Sequence, residues 1–136
     1  MLKILIQSLG LALALATCLA ANLSAQGVTL KAEASVLYGS ADKCTQPATV
    51  DFAKVKKLTP EWKLIKTEGV DKGSARYALL VEDMNRRIRR LCEEVAKSLG
   101  KDCVLRKGDI ESEKGLAVSD VTDEVVAKLE SGSIGS

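Results

Sequence analysis

Residues 74–99 read SARYALLVEDMNRRIRRLCEEVAKSL, and no other stretch constrains the chain as strongly. Apolar or aromatic side chains fall at Tyr77, Val81, Met84, Ile88, Leu91, Val95 and Leu99. The steps alternate between four and three until the last, which draws one apolar stripe along a helix of 3.6 residues per turn. Such a stripe is also close to a heptad seam, so it calls for packing against a helical partner or an oligomer contact. Arg86, Arg87, Arg89, Arg90, Glu93, Glu94 and Lys97 occupy the remaining faces. Neither Pro nor Gly interrupts the run before Gly100, which is placed to end it in a left-handed cap. A one-sided helix of this kind is not stable alone. The rest of the chain must supply its cover.

The start of the chain reads as a secretory signal peptide over residues 1–25. Lys3 gives a short positive beginning, residues 4–21 are almost wholly apolar or small, and cuts after Ala20 or Ala25 would each fall at a small residue. A permanent membrane anchor is the competing reading, but the run includes Gln7 and Ser8 and sits at the lower edge of spanning length. A third reading is lipid anchoring at Cys18. Residues 15–18 (LATC) approach a lipoprotein box, with Thr17 where that motif takes a smaller residue.

Without residues 1–25 the chain is about one small domain long and holds 19 basic against 18 acidic residues, since only Lys3 leaves with the leader. That balance gives no reason to expect nucleic acid as a partner. Four aromatics in all, Tyr38, Phe52, Trp62 and Tyr77, are too few for a base-stacking platform. There is no histidine, which removes Ser-His-Asp and Cys-His nucleophiles and zinc sites of mixed Cys and His. No Cys-x-x-Cys and no glycine-rich phosphate loop occurs. The carboxylate pairs Glu93-Glu94 and Asp123-Glu124 suit a solvated face and a helix first turn better than acid–base chemistry. No catalytic, cofactor or metal site is expected, and the chain reads as a non-enzyme. Cys44, Cys92 and Cys103 allow one disulfide in an oxidising compartment. All three pairings stay open, a Cys92–Cys103 contact across the end of the long helix among them, as does a role for all three as small buried apolar groups.

Taken in order, residues 26–38 alternate apolar and polar, as an edge strand or a flexible start would, and 39–47 are loop material. Residues 48–52 read as a strand leading into a helical turn bearing Phe52, Val55 and Leu58. Thr59-Pro60-Glu61 signals a fresh helix, with Thr59 as cap, Pro60 at the first position and Glu61 in the first turn. Gly69 ends it, and Ser74 is placed to cap the long helix. Residues 60–99 thus make an unequal helical hairpin. Residues 102–105 read as a strand, 106–109 as a turn, and 110–118 as an irregular hairpin or edge strand. A last helix opens near Asp120 or Thr122 with Val121, Val125, Val126 and Leu129 on its apolar side, and 131–136 read as a loose tail. The class is α+β: a small β-rich body, a short helical hairpin and a C-terminal helix.

The basic quartet Arg86, Arg87, Arg89 and Arg90 would attract an acidic unfolded segment or, peripherally, an anionic membrane. The plainer reading is a solvated face with Asp83, Arg87 and Glu94 paired at helical spacings or across subunits.

Residues 93–110 (EEVAKSLGKDCVLRKGDI) followed by 119–130 (SDVTDEVVAKLE) resemble the end of the OmpH/Skp family of periplasmic chaperones. In that family a long arm helix returns into a body strand, passes a glycine turn and ends in a helix introduced by Asp-x-Thr-Asp-Glu-Val. Here that motif stands at Asp120-Val121-Thr122-Asp123-Glu124-Val125. The family's first strand and helix match residues 49–55 through Thr59-Pro60-Glu61. The resemblance covers residues 48–130 and leaves 26–47 as an N-terminal extension. It implies a periplasmic homotrimer that holds unfolded outer-membrane or envelope proteins without ATP or cofactor. The family's arms are long, whereas residues 60–99 make a short one. The alternative expectation is therefore a structural or adaptor protein that keeps the trimeric body but not client holding.

Overall fold

Side-chain caps fix where the helices begin. A computed structural model describes residues 27–132. The expected leader, Cys18 and residues 133–136 of the expected tail lie outside the described residues. Asp51 accepts a hydrogen bond from the Lys54 N–H (3.0 Å) and starts α1, Phe52–Leu58. Thr59 closes that helix through its N–H to the Lys56 carbonyl (3.1 Å), and its hydroxyl accepts from the Trp62 N–H (3.3 Å) to start α2, Pro60–Glu68. Ser74 does the same for α3, Ala75–Leu99, accepting from the Tyr77 N–H at 3.1 Å. Each is a short polar side chain satisfying a backbone donor that has no partner within the helix. Gly100 ends α3 at φ 69°, a left-handed conformation that costs a residue with a Cβ more than glycine. The last helix, α4, spans Thr122–Gly132.

The strands are short: β1 Thr29–Leu30, β2 Val36–Gly39, β3 Pro47–Val50, β4 Cys103–Arg106, β5 Ile110–Ser112 and β6 Ser119–Asp120. Four of them form a mixed sheet in the order β2-β4-β3-β6. β3 runs parallel to both β4 and β6, and β2 pairs antiparallel to β4. β1 and β5 make a separate antiparallel ribbon. The three helices α1, α2 and α3 lie between β3 and β4, so the sheet closes only when residues as distant as Pro47 and Cys103 meet. Residues 27–39 therefore make two strands in two sheets, where one edge strand or a flexible start was expected; a turn after Lys31 breaks the alternation.

The period-two alternation of strands sorts β4 between two cores. Val104 joins Ala48, Val50 and Leu37 against α1, α3 and α4, with Val55, Ile88, Val121, Val125 and Leu129 completing that larger core. Cys103 and Leu105 point the other way, against Val28 and Cys44, with Leu30, Val36, Ile110 and Leu116 packed around them. Val28, Leu30, Ala41 and Cys44, from the N-terminal extension, thus cover the second face of the sheet. A disulfide between Cys44 and Cys103 fastens them there, with Cα atoms 5.7 Å apart. Cys92, placed by the sequence within reach of Cys103, is instead a free, fully buried thiol in the larger core. At Gly39 an added Cβ would lie 2.2 Å from the Asp102 carbonyl oxygen, so only glycine lets β2 approach the start of β4 this closely.

Met84, Ile88 and Val95 of the expected stripe are buried. Leu91 is half-buried, and Leu99 is 46 % exposed, outside the core. Cys92 and Ala96 take the places of those last two. The reason is geometric: a seam stepping by 3.5 residues drifts about 20° per heptad on a straight helix, so the buried strip crosses onto the neighbouring row.

Candidate functional site

Ahead of Met84, α3 buries none of its residues. Over this stretch its cover is α2, which runs back along it. The pair is tied at both ends by charge: Glu61 to Arg87 at the base, and Glu68 to Arg76 at the tip. Glu61 is only 9 % exposed and accepts from the Arg87 Nε (2.9 and 3.1 Å) and Nη2 (2.8 Å), a fork-to-fork arrangement. The sequence placed Glu61 in the first turn for its effect on the helix dipole. Its partner 26 residues away was not legible from local spacing. Trp62 locks the root of the arm, with the Lys56 ammonium 3.9 Å and the Lys66 ammonium 4.9 Å from the ring centre.

Among the described residues, the face of α3 turned away from α2 is only partly covered over the arm. Tyr77, Ala78, Val81 and Asn85 line a wide cleft of about 570 Å³, bordered by Glu82, Arg86 and Arg89. Tyr77 and Val81 are half-buried, and Leu79 nearby is 62 % exposed. The cleft continues the strip that Ile88, Cys92 and Ala96 bury against the body.

The structure divides the basic quartet. Arg86 is held within its own helix by Glu82 (2.8 Å) and Asp83 (3.2 Å). Arg87 is spent on Glu61. Arg86, Arg87 and Arg90 flank a polar hollow with Glu61 and Asp83, whereas Arg89 borders the apolar cleft together with Arg86. Arg89 and Arg90 form no ion pair among the described residues. The helical pairings expected for Arg87 and Glu94 are replaced by tertiary ones, Arg87 with Glu61 and Glu94 with Lys128 of α4 at 3.6 Å.

Two polar clusters outside the arm serve the fold. At the ends of the parallel strands, the motif beginning at Asp120 works as a clip. The Asp120 carboxylate accepts from the Thr122 N–H (2.9 Å) and hydroxyl (2.5 Å), while the Thr122 hydroxyl oxygen accepts from the Asp51 N–H (2.9 Å). Lys107 reaches Asp120 at 3.1 Å and Lys54 reaches Asp123 at 3.2 Å. The starts of α1 and α4 are thereby fixed to one another. The Thr122 hydroxyl and N–H, and then Lys107, lower the Asp120 carboxyl to about 2 against the opposing effect of desolvation.

The second cluster is Cys44, Asp102 and Cys103, whose ligand-type atoms lie within 4.8 Å of one another. The two sulfurs are committed to the disulfide, and the carboxylate holds the loop before β3, accepting from the Thr45 N–H (2.8 Å), the Thr45 hydroxyl (2.7 Å) and the Gln46 N–H (2.8 Å). Desolvation pushes Asp102 up, but these donors outweigh it and hold the carboxyl below its ordinary range. Burial pushes the Cys92 thiol up to about 12, which leaves it inert at neutral pH.

Comparison with protein-family models, curated proteins and solved structures finds no match for this chain.

Proposed function

We propose that the protein is a non-enzymatic, ATP-independent holdase of the OmpH/Skp kind, exported to the periplasm and acting as a homotrimer on unfolded outer-membrane or envelope proteins. The observation that carries this reading is the uncovered apolar face of the arm beside Tyr77 and Val81, on a helix whose other half is buried in the body. Exposed apolar surface next to fixed charge is what a binder of unfolded chains needs. The order of elements supports it: β3 and α1, a helical arm, return into β4, a glycine turn, then a helix opened by the Asp120 clip. That is the order the resemblance implies.

The shortness of the arm favours a second reading, a structural or adaptor protein of the envelope. α2 has nine residues, so the arm is about 14 Å long at 1.5 Å per residue. Three such arms enclose little. Suppression of aggregation of an unfolded outer-membrane β-barrel protein by stoichiometric trimer tests the first reading, with native mass measured on the same sample. A trimer that leaves the client to aggregate selects the adaptor. A monomer at micromolar concentration overturns the assembly in both.

A further inference from the structure

The arm cleft has two unlike ends. Tyr77, Ala78 and Val81 make one end apolar. At the other end Arg86 is already engaged by Glu82 and Asp83, while Arg89 has no carboxylate partner among the described residues. An unpaired arginine on a helix surface is ordinary. This one closes an apolar strip, and an occupant of the strip would meet it. From Val81 to Arg89 the helix rises about 12 Å, eight residues at 1.5 Å each. An extended chain covers that distance in about four residues at 3.3 Å each. In an extended chain, residues four apart also point to the same side, whereas residues three or five apart do not.

We infer, building on the client-binding reading above, that the cleft takes an extended segment of unfolded chain with a large apolar residue and a carboxylate four positions apart. The apolar residue lies against Tyr77 and Val81, and the carboxylate meets the Arg89 guanidinium. A peptide fits this surface better than a flat anionic membrane does. Glu82 borders the same cleft, so a sheet of negative charge would press on that carboxylate, whereas a peptide can set its carboxylate on Arg89 alone.

Binding of fluorescent peptides to the full chain by anisotropy tests the assignment. The set holds one Phe in a Gly/Ser background, with Glu four residues on, Lys four residues on, or Glu three residues on. The first should bind about fivefold tighter than the second, the scale of one exposed charge contact, and tighter than the third. Arg89→Glu should invert the order of the Glu and Lys peptides without moving the thermal midpoint, because Arg89 has no ion-pair partner among the described residues. Tyr77→Ala should weaken all three alike.

Equal affinity for the three peptides overturns the inference, and so does an order that Arg89→Glu leaves unchanged. Binding to phosphatidylglycerol vesicles with none to the peptides overturns it in favour of a lipid surface. Self-association that Tyr77→Ala abolishes, with no peptide competition, overturns it in favour of a second copy. If aggregation suppression persists when the peptide pattern fails, only this assignment falls and the holdase reading stands. If the peptides behave as expected while the wild-type chain suppresses no aggregation, the holdase reading falls and the cleft remains a peptide site.

Discussion

The two halves of α3 are written in the same pattern and meet different fates. From Met84 to Ala96 its buried residues join the larger core, and Ile88 and Cys92 are wholly buried. Before Met84 the same spacing leaves Tyr77 and Val81 only half-buried among the described residues, Val81 touching the edge of the core and both bordering the cleft. Burying a side chain such as Met84 or Ile88 contributes about 2 kcal/mol to stability, so the body half holds the helix in place. The arm half contributes much less to the fold. Periodicity states which face of a helix is apolar. It does not state how far along that face the cover extends.

Paired substitutions sharpen this contrast, beginning with the largest effect. Ile88→Asp puts an unpaired charge where the native side chain is 0 % exposed, and we expect a loss of more than about 4 kcal/mol, seen as loss of cooperative unfolding in urea. Leu79→Asp, on the arm, should stay within about 0.5 kcal/mol of the parent. Equal effects at the two positions would erase the distinction between the halves.

Removing the disulfide by Cys44→Ala with Cys103→Ala should cost about 4 kcal/mol in the chain-entropy account for a bridge spanning 59 residues. It should also loosen residues 27–44 in hydrogen exchange before the helices are affected. Arg87→Ala at the root of the arm strands the buried Glu61 carboxylate, with an expected loss of about 1–3 kcal/mol, and Glu61→Gln on that background should restore part of it. If Arg87→Ala costs nothing, the arm is not anchored by this pair.

The smallest effect is at the Asp120 clip. Asp120→Asn keeps an acceptor oxygen but removes the charge that strengthens the Thr122 and Lys107 contacts, and should cost about 1 kcal/mol at pH 7. The sign of its pH dependence follows from the lowered carboxyl. A carboxylate held near 2 in the folded state stabilises fully above the unfolded value of about 3.9 and loses that contribution as pH falls towards 2. Denaturant midpoints measured from pH 5 to pH 2 should therefore fall less steeply for Asp120→Asn than for the parent. Parallel curves would mean that the clip is not coupled to folding.

Local signals carried a large part of this fold. Thr59, Ser74 and Gly100 stand where helices begin and end because each satisfies backbone groups within a few residues of itself. Strand β3, the helical hairpin and strand β4 were legible for the same reason. The Asp120 motif was legible as a helix start, but not as the joint between α1 and α4, because its partner Asp51 lies 71 residues from Thr122. The division of the basic quartet was hidden in the same way. Four arginines close in sequence look alike, and only the position of α2 assigns Arg87 to Glu61 and leaves Arg89 beside the cleft.

By itself the sequence determined the helices, their caps, the apolar face of α3 and the α+β class. These rest on interactions over a turn or two, whose geometry the backbone sets. Tertiary structure alone decided that Cys44 pairs with Cys103, that Val28, Leu30 and Cys44 cover the second face of the sheet, and that full burial on α3 stops at Met84. Those outcomes depend on which distant surfaces meet when the sheet closes, and burial is a property of the whole packed chain that no local spacing encodes.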